Sequence, residues 1–236
     1  MTIKGQNIIN RAHLIIFAGS LVPGELFRHC ASEEIIDSSG LTLEQTHNLM
    51  SEACRGGKLV ARVHTGDPSI FGTIHEQTAL LKKDGIPFEI VPGVTAAFAA
   101  AARADISFTL PGVNQTLIIT RAPGRTAVPS SQNLKKLAAS RSSMAIYLSA
   151  AHAGSVQSEL MDGGFEENTP VILGWKVGWK DELVVTTSLD RLARTVSEMG
   201  IKGQVVFLIL PGPGDAPRSK LYDPGFSHGF RKKDHG

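Results

Sequence analysis

A glycine and a carboxylate directly follow a strand-like stretch in the first half of the sequence. Apolar residues within Lys58–Val63 predict a buried strand, and Thr65-Gly66-Asp67-Pro68 ends it abruptly. In an open parallel sheet, ligands bind beyond the carboxyl ends of the strands. Gly66 would let a ligand approach the backbone closely, and Asp67 would offer an acceptor to hydroxyl or ammonium groups. The same letters also form an ordinary turn, and Asp67 could instead cap a helix over Ile70–Leu81.

The composition limits the class of protein. The 236 residues are 42% hydrophobic and 19% charged, which is typical of a globular chain with a sizeable core. A formal net charge of +2 gives no broad basic field for nucleic acid, and the basic end Arg231-Lys232-Lys233 is best explained as a solvated terminus. Apolar runs are too short to span a bilayer or to form a signal peptide. Cys30 and Cys54 fit neither a zinc site nor a disulfide framework, which indicates a reducing cytoplasm, and we expect no metal.

Strand-like and helix-like segments alternate through the first half, which favours a parallel sheet with crossover helices. Thr42 and Gln45 have the spacing of a capping box, and Gly56-Gly57 marks the end of the same helix. The predicted strands are Leu14–Ala18, Ile35-Ile36, the stretch ending at His64, and Phe88–Val91. The predicted helices are Pro23–Cys30, Thr42–Arg55, Phe71–Asp84 and the alanine-rich Thr95–Ala104, which must pack closely against a neighbour.

The second half is predicted to be mixed. Leu110-Pro111-Gly112 is the candidate linker, giving α/β domains at residues 1–112 and 113–236. A short polar segment containing Gly178 and Asp181 joins two strand-like stretches and predicts an antiparallel hairpin. The predicted strands are Thr116–Thr120, Met144–Leu148, Val171–Leu173, Leu183–Thr187 and Val205–Leu210. The predicted helices are Gln132–Ala139, Ala153–Met161 and Leu189–Met199.

Several separated segments agree, in order, with one family. The stretches HTGDPSIFG, IPFEIVPGVTAAFAAAA, SFTLPGVNQTLIITRAPGRTAVP and SKLYDPGFSHGFR resemble the precorrin-4 C11-methyltransferases of the tetrapyrrole methylase superfamily. The resemblance covers essentially the whole chain. It implies an α/β tetrapyrrole methylase fold of two domains with a cleft between them, a homodimer, and S-adenosylmethionine as cofactor.

The resemblance also implies the residues that bind the cofactor. Gly66, Asp67 and Ile70 match the first cofactor segment of the family, and Thr95 and Ala96 match the second. Leu148 and Val177 fall where the superfamily has, respectively, an apolar cofactor contact and a backbone contact near the adenine. Thr95 could instead serve only as a helix cap.

A tetrapyrrole carries many carboxylates, so its binding site needs cations. Arg121 and Arg125 lie on one glycine-containing loop; Arg121 is the predicted substrate contact, and His64 could donate to a substrate carboxylate. The alternative for the two arginines is a solvated loop without a ligand. The alternative for His64 is a histidine at a strand end whose hydrogen bonds are satisfied within the protein. Trp175 and Trp179 could cover the macrocycle or simply pack. No residue pair has the spacing of a general base.

The sequence departs from the family at its start. Family members open with a strand and a Gly-x-Gly-Pro-Gly-Asp loop, and here only Val205–Asp215 resembles that pattern, out of place. We expect the missing opening to expose a sheet edge and to remove one wall of the site. The favoured activity is C11 methylation of precorrin-4 or cobalt-precorrin-4. The alternatives are another tetrapyrrole methylase, a methyltransferase of ribosomal RNA, and a ligand-binding protein inactivated by the missing loop.

Overall fold

The computed structural model describes residues 1–32, 34–212, 219–223 and 225–231. Part of the basic end, Lys232-Lys233, and the end of the displaced glycine-rich stretch, 213–215, lie outside these residues. The chain divides into two compact units, Met1–Ala96 and Ala97–Gly236. The sequence-based boundary at residue 112 stays a prediction.

The first unit is built on parallel strands, as predicted. The described strands β1 (Leu14–Phe17), β2 (Glu34–Asp37) and β3 (Val60–Val63) pair in the order β2-β1-β3. The central strand β1 is the most apolar of them, with Ile15 and Ile16 fully buried. The helices are α1 (Ile3–Arg11), α2 (Leu43–Arg55) and α3 (Ile74–Lys83).

Helix α2 confirms its sequence signals. The Thr42 hydroxyl accepts from Gln45 N, while the Gln45 side chain accepts from Thr42 N, which completes the capping box. At the other end Gly57 adopts a φ of +76°, a left-handed conformation that suits glycine. These caps satisfy backbone groups that a helix leaves without partners, so both helix ends are fixed locally.

Four features of the first unit differ from the predictions. Helix α3 begins only at Ile74, because residues 68–73 form a tight turn with positive φ at Phe71 and Thr73. The strand predicted at Phe88–Val91 is wrong: the described residues there have no regular structure, and Pro87 and Pro92 on either side of this segment lack the N–H donors of a ladder. Two further differences lie near the amino terminus, namely the helix predicted over Pro23–Cys30, which is only a 3₁₀ turn at Gly24–Phe27, and the unpredicted α1.

The second unit holds a mixed sheet, again as predicted. Its described strands pair in the order β4-β5-β8-β6-β7, with β4 and β5 parallel and the remaining pairs antiparallel. The strands are β4 (Leu117–Arg121), β5 (Ser143–Tyr147), β6 (Pro170–Trp175), β7 (Leu183–Ser188) and β8 (Val205–Ile209). The helices are α4 (Ala96–Arg103), α5 (Leu134–Ala138), α6 (Ala153–Asp162) and α7 (Leu192–Glu198).

The core of the second unit joins the sheet to helices α5, α6 and α7. Alternate residues of β5 and β6 contribute to it, together with Phe207 of β8, and they are completely buried. Leu134, Val156, Leu160 and Leu192 fill it from the helices. None of the helices in the described part of the chain combines the length and apolar character needed to cross a bilayer.

The alanine-rich helix α4 lies unusually close to strand β6. An ideal Cβ placed on Gly174 would lie only 2.7 Å from the Cβ of Ala100, so this contact requires small residues on both sides. The Tyr147 hydroxyl accepts from Ala97 N at 2.8 Å, and Arg103 pairs with Glu182 at 2.7 Å. The close packing predicted for this helix from its composition is therefore confirmed.

Candidate functional site

Two backbone segments of the first unit meet at the carboxyl end of β3. Gly66 has a φ of +64°, and an ideal Cβ on it would lie 3.4 Å from Thr95 Cα and 3.8 Å from Ala96 N. An ideal Cβ on Gly93 would lie 2.9 Å from the carbonyl carbon of Gly66 and would overlap its oxygen. The structure thus brings together the two segments that were predicted to bind cofactor. Gly93 was not named as a site residue, although it stands in the Val-Pro-Gly-Val-Thr segment.

Asp67 holds these two segments together. Its Oδ1 accepts from Ser69 N at 2.8 Å and its Oδ2 accepts from Gly93 N at 2.9 Å. The hydrogen bonds from Gly93 and Ser69 lower the pKa of this carboxyl below its usual value. Helix α3 begins seven residues later, so the alternative role of Asp67 as its N-cap is wrong. Each carboxylate oxygen keeps a further lone pair for a ligand.

The other predicted residues of this unit lie beside the same loop or at the start of α4. Ile70 is half-buried, and its N–H donates to Asp67 O at 3.1 Å. Thr95 is buried, and Ala96 begins α4. Gly66 is exposed, so its backbone is open to a ligand.

His64 directly follows β3 and is neutral at physiological pH. Burial, together with the nearby Arg62 guanidinium, lowers the pKa of His64 to about 4. Arg62 is itself held in place, since it donates to Gln77 Oε1 and to Ile16 O at 3.3 Å each. A contact from His64 to a carboxylate would therefore be a hydrogen bond from a neutral imidazole.

His64→Gln is expected to remove a pH dependence of stability. Because the pKa of His64 is lowered on folding, the unfolded chain takes up its proton first as the pH falls below about 6.5. This group's contribution is therefore present above pH 6.5 and lost progressively down to pH 4, by about 1–3 kcal/mol. Urea unfolding between pH 4 and 7 measures the effect. Parallel stability curves for the variant and the wild type would contradict the assignment.

In the second unit, the loops after β4 and β5 are linked at the carboxyl ends of these parallel strands. The buried Ser149 hydroxyl accepts from Ala122 N at 2.9 Å and donates to Tyr147 O at 2.6 Å. Leu148 lies between, with a φ of +54° and 66% of its surface exposed. Such an exposed apolar side chain on a strained backbone is typical of a ligand contact. The sequence analysis did not identify Ser149 as a residue that links these loops. A single serine in a sequence does not indicate which backbone groups its hydroxyl will bond.

Arg121, the predicted substrate contact, is half-buried and already has hydrogen-bond partners in its own loop. Its Nη1 donates to Ala122 O and Thr126 O at 3.2 and 3.1 Å, and its Nη2 donates to Thr126 Oγ1 and Ala127 O at 2.9 Å each. The guanidinium therefore organises its own loop. Its role as a substrate contact stays a prediction.

Val177 lies in the β6–β7 hairpin beside a packed cluster of side chains. The Lys176 ammonium lies 4.6 Å from the ring centre of Trp175 and 5.8 Å from that of Trp179, and it pairs with Asp181 at 2.6 Å. Both tryptophans thus pack within the hairpin. Val177 is half-buried at its turn, and its predicted adenine contact is untested.

A cavity of about 310 Å³ lies elsewhere in the second unit, between α6 and α7. It is lined by small residues such as Ala150 and Gly154, with Lys202 at its side. None of the predicted site residues lines it, and its wall has few polar groups. In the first unit, glycines, the Asp67 carboxylate and exposed backbone converge at the carboxyl end of β3, and we take this strand end as the candidate site.

The comparisons with known proteins define the class. Residues 1–193 match the family described as Tetrapyrrole (Corrin/Porphyrin) Methylases, and the chain belongs to this family.

Two curated relatives narrow the similarity to one branch. The cobalt-precorrin-4 C(11)-methyltransferase of Priestia megaterium is 41% identical over 98% of this chain and 92% of its own. The enzyme of the same name from Methanocaldococcus jannaschii is 43% identical over 98% and 91%. Among solved structures, a cobalt precorrin-4 methyltransferase described as a cobalamin biosynthetic enzyme superposes with a TM-score of 0.86 at 39% identity, covering 89% of this chain and 88% of that one.

Proposed function

We propose that the protein transfers a methyl group from S-adenosylmethionine to C11 of a corrinoid precursor in cobalamin biosynthesis. The observation that carries the proposal is the near-full-length similarity to two enzymes named cobalt-precorrin-4 C(11)-methyltransferase. A relative named for the metal-free substrate, from Pseudomonas aeruginosa, is 38% identical. We therefore take cobalt-precorrin-4 as the first candidate substrate and precorrin-4 as the second.

The loop of the first unit suits a nucleoside ligand that carries a cationic sulfur. The exposed backbone at Gly66 admits close approach, and the Asp67 carboxylate has free acceptor capacity for hydroxyl groups or for positive charge. Backbone N–H groups in the first turn of α4, other than that of Ala97, which donates to the Tyr147 hydroxyl, are proposed to bind a carboxylate. We propose Gly66, Asp67, Ile70, Thr95 and Ala96 as cofactor-binding residues of this unit. In the second unit, Leu148 is proposed as an apolar cofactor contact and Val177 as a backbone contact near the adenine.

The chemistry places few demands on side chains. A nucleophilic ring carbon of the substrate forms a bond to the methyl carbon, the methyl–sulfur bond breaks with its electron pair staying on sulfur, and the methylated ring system releases one proton to water. The product of the cofactor is S-adenosylhomocysteine. The protein's contribution is to hold both reactants in line, an effect worth up to about 7–11 kcal/mol. The neutral His64 is proposed to contact a substrate carboxylate and not to move a proton.

The assembly and compartment are also proposals. We infer a cytoplasmic homodimer, which the resemblance to the family supports. The free Cys30 and Cys54 are consistent with a reducing compartment. Light scattering on the purified protein would report twice the 25.2 kDa chain mass if this is correct.

Methyl transfer from labelled S-adenosylmethionine tests the activity directly. We expect label in the corrinoid fraction with cobalt-precorrin-4, a product one methylene heavier, and a carbon-13 methyl group attached to C11 when the donor methyl is enriched. Label only with uroporphyrinogen III would assign a different tetrapyrrole methylase, and label in ribosomal RNA would overturn the substrate class. Calorimetric binding of S-adenosylmethionine without any transfer would identify the non-catalytic alternative.

A further inference from the structure

One stretch of the second unit is devoid of acidic residues. Residues 106–158 contain no aspartate or glutamate, although the whole chain has 22. The same stretch carries five of the basic side chains, Arg121, Arg125, Lys135, Lys136 and Arg141. A segment with one sign of charge attracts ligands of the opposite sign, and no carboxylate within it competes for its cations.

The loop after β4 presents one of these cations at its tip. Both terminal nitrogens of Arg121 donate to carbonyl and hydroxyl oxygens of residues 122–127. The loop is therefore folded around this guanidinium. Gly124 N donates to Thr126 O at 3.3 Å and tightens the turn. Arg125 stands at this tip, exposed, and forms no hydrogen bond or ion pair with any residue that the structure describes.

A histidine and an exposed apolar residue lie next to this loop. An ideal Cβ on Gly124 would lie 3.5 Å from His152 Nε2, so the loop tip packs against the imidazole. The Ser149 hydroxyl ties the base of the loop to the turn that exposes Leu148. The tip therefore lies at the carboxyl ends of the parallel strands β4 and β5, where ligands of α/β sheets bind.

We propose that Arg125, with His152 beside it, recognises a carboxylate side chain of the tetrapyrrole substrate, and that Arg121 is the positioning residue of their loop. The inference rests on the proposed function, because it names how that site selects a polycarboxylate. An arginine fork suits this task, since it binds a carboxylate through two parallel hydrogen bonds. The assignment reverses the order that the sequence favoured, in which Arg121 and not Arg125 was the predicted substrate contact.

Binding of uroporphyrin, a tetrapyrrole with eight carboxylates, tests the assignment without turnover. Quenching of the Trp175 and Trp179 fluorescence would follow its titration onto wild-type protein and variants. Arg125→Gln is expected to weaken binding about tenfold, because the loss of a hydrogen bond to a charged group changes a dissociation constant by about that factor. Its affinity for S-adenosylmethionine, measured by calorimetry, should not change. Arg125→Lys should recover part of the loss.

Arg121→Gln should also weaken uroporphyrin binding, but with faster hydrogen exchange at residues 122–127, which Arg125→Gln leaves unchanged. Arg194→Gln removes an exposed arginine of α7 that pairs with Glu198, and it serves as the control for lost charge. Wild-type affinity in Arg125→Gln, or an equal loss in Arg194→Gln, would overturn the proposal. Binding through Arg125 without any methyl transfer would contradict the proposed function and leave this inference standing.

Discussion

Gly93→Ala is expected to reduce affinity for S-adenosylmethionine at least tenfold and to lower the melting temperature. The new Cβ would overlap the Gly66 carbonyl oxygen and lie 2.9 Å from its carbon, and neither backbone segment has a flexible side chain that could yield. Forcing extra atoms into such a contact costs about 1–3 kcal/mol or more. The segments would have to separate, and the proposed cofactor loop would lose its shape. Calorimetric titration of the cofactor measures the effect.

Gly40→Ala is the matched control for this substitution. Gly40 belongs to the same unit, and apart from its two chain neighbours no described residue has an atom within 4 Å of its ideal Cβ. We expect wild-type cofactor affinity and a nearly unchanged melting temperature for this variant. If Gly93→Ala behaves in the same way, the two segments do not form the cofactor site.

Asp67→Asn is expected to weaken cofactor binding about tenfold and to lower stability by about 1–3 kcal/mol. An amide has one acceptor oxygen, so either Ser69 N or Gly93 N loses its hydrogen bond. The variant also loses the negative charge proposed to face the cationic cofactor. Since hydrogen bonds lower the pKa of Asp67, its stabilising contribution in the wild type is present above pH 4 and lost as the carboxyl is protonated at lower pH. Calorimetry and urea unfolding measure the two effects.

Asp37→Asn separates the two roles of Asp67. Asp37 follows the same pattern at the end of β2: it accepts from Ser39 N at 2.8 Å, and hydrogen bonds from Ser39 and Gly19 lower its pKa. Both variants should therefore lose stability, but only Asp67→Asn should lose cofactor affinity. An affinity equal to that of the wild type in Asp67→Asn would remove Asp67 from the proposed site.

Local signals in the sequence predicted those elements whose ends are fixed by neighbouring residues. Helix α2 begins after Thr42 and ends before Gly56, as the capping box and the glycines indicate. The β6–β7 hairpin and the parallel β4–β5 pair were equally predictable from short polar segments and strand spacing. The strand wrongly predicted at Phe88–Val91 shows the limit, since apolar content does not provide a pairing partner.

The candidate site was predictable in its residues but not in its connections. The motifs named Gly66 and Asp67, yet the bond from Gly93 to Asp67 joins positions 26 apart along the chain. Nor could the sequence show that Arg121 donates to carbonyls of its own loop. Every residue has a backbone oxygen, so the residue types do not indicate which of these oxygens a side chain will reach. Long-range hydrogen bonds depend on how the chain folds back, which neither propensity nor spacing encodes.

The narrow contact between α4 and β6 limits how this sequence can change. An ideal Cβ on Gly174 would meet Ala100 at 2.7 Å and Val177 at 2.9 Å, so any larger residue there needs a simultaneous truncation opposite. Ala100 is already the smallest chiral residue, and glycine in its place would weaken the helix by about 1 kcal/mol. Neither Gly174 nor Ala100 therefore has a neutral single substitution. Sequences that evolve from this one must keep both residues or change both together.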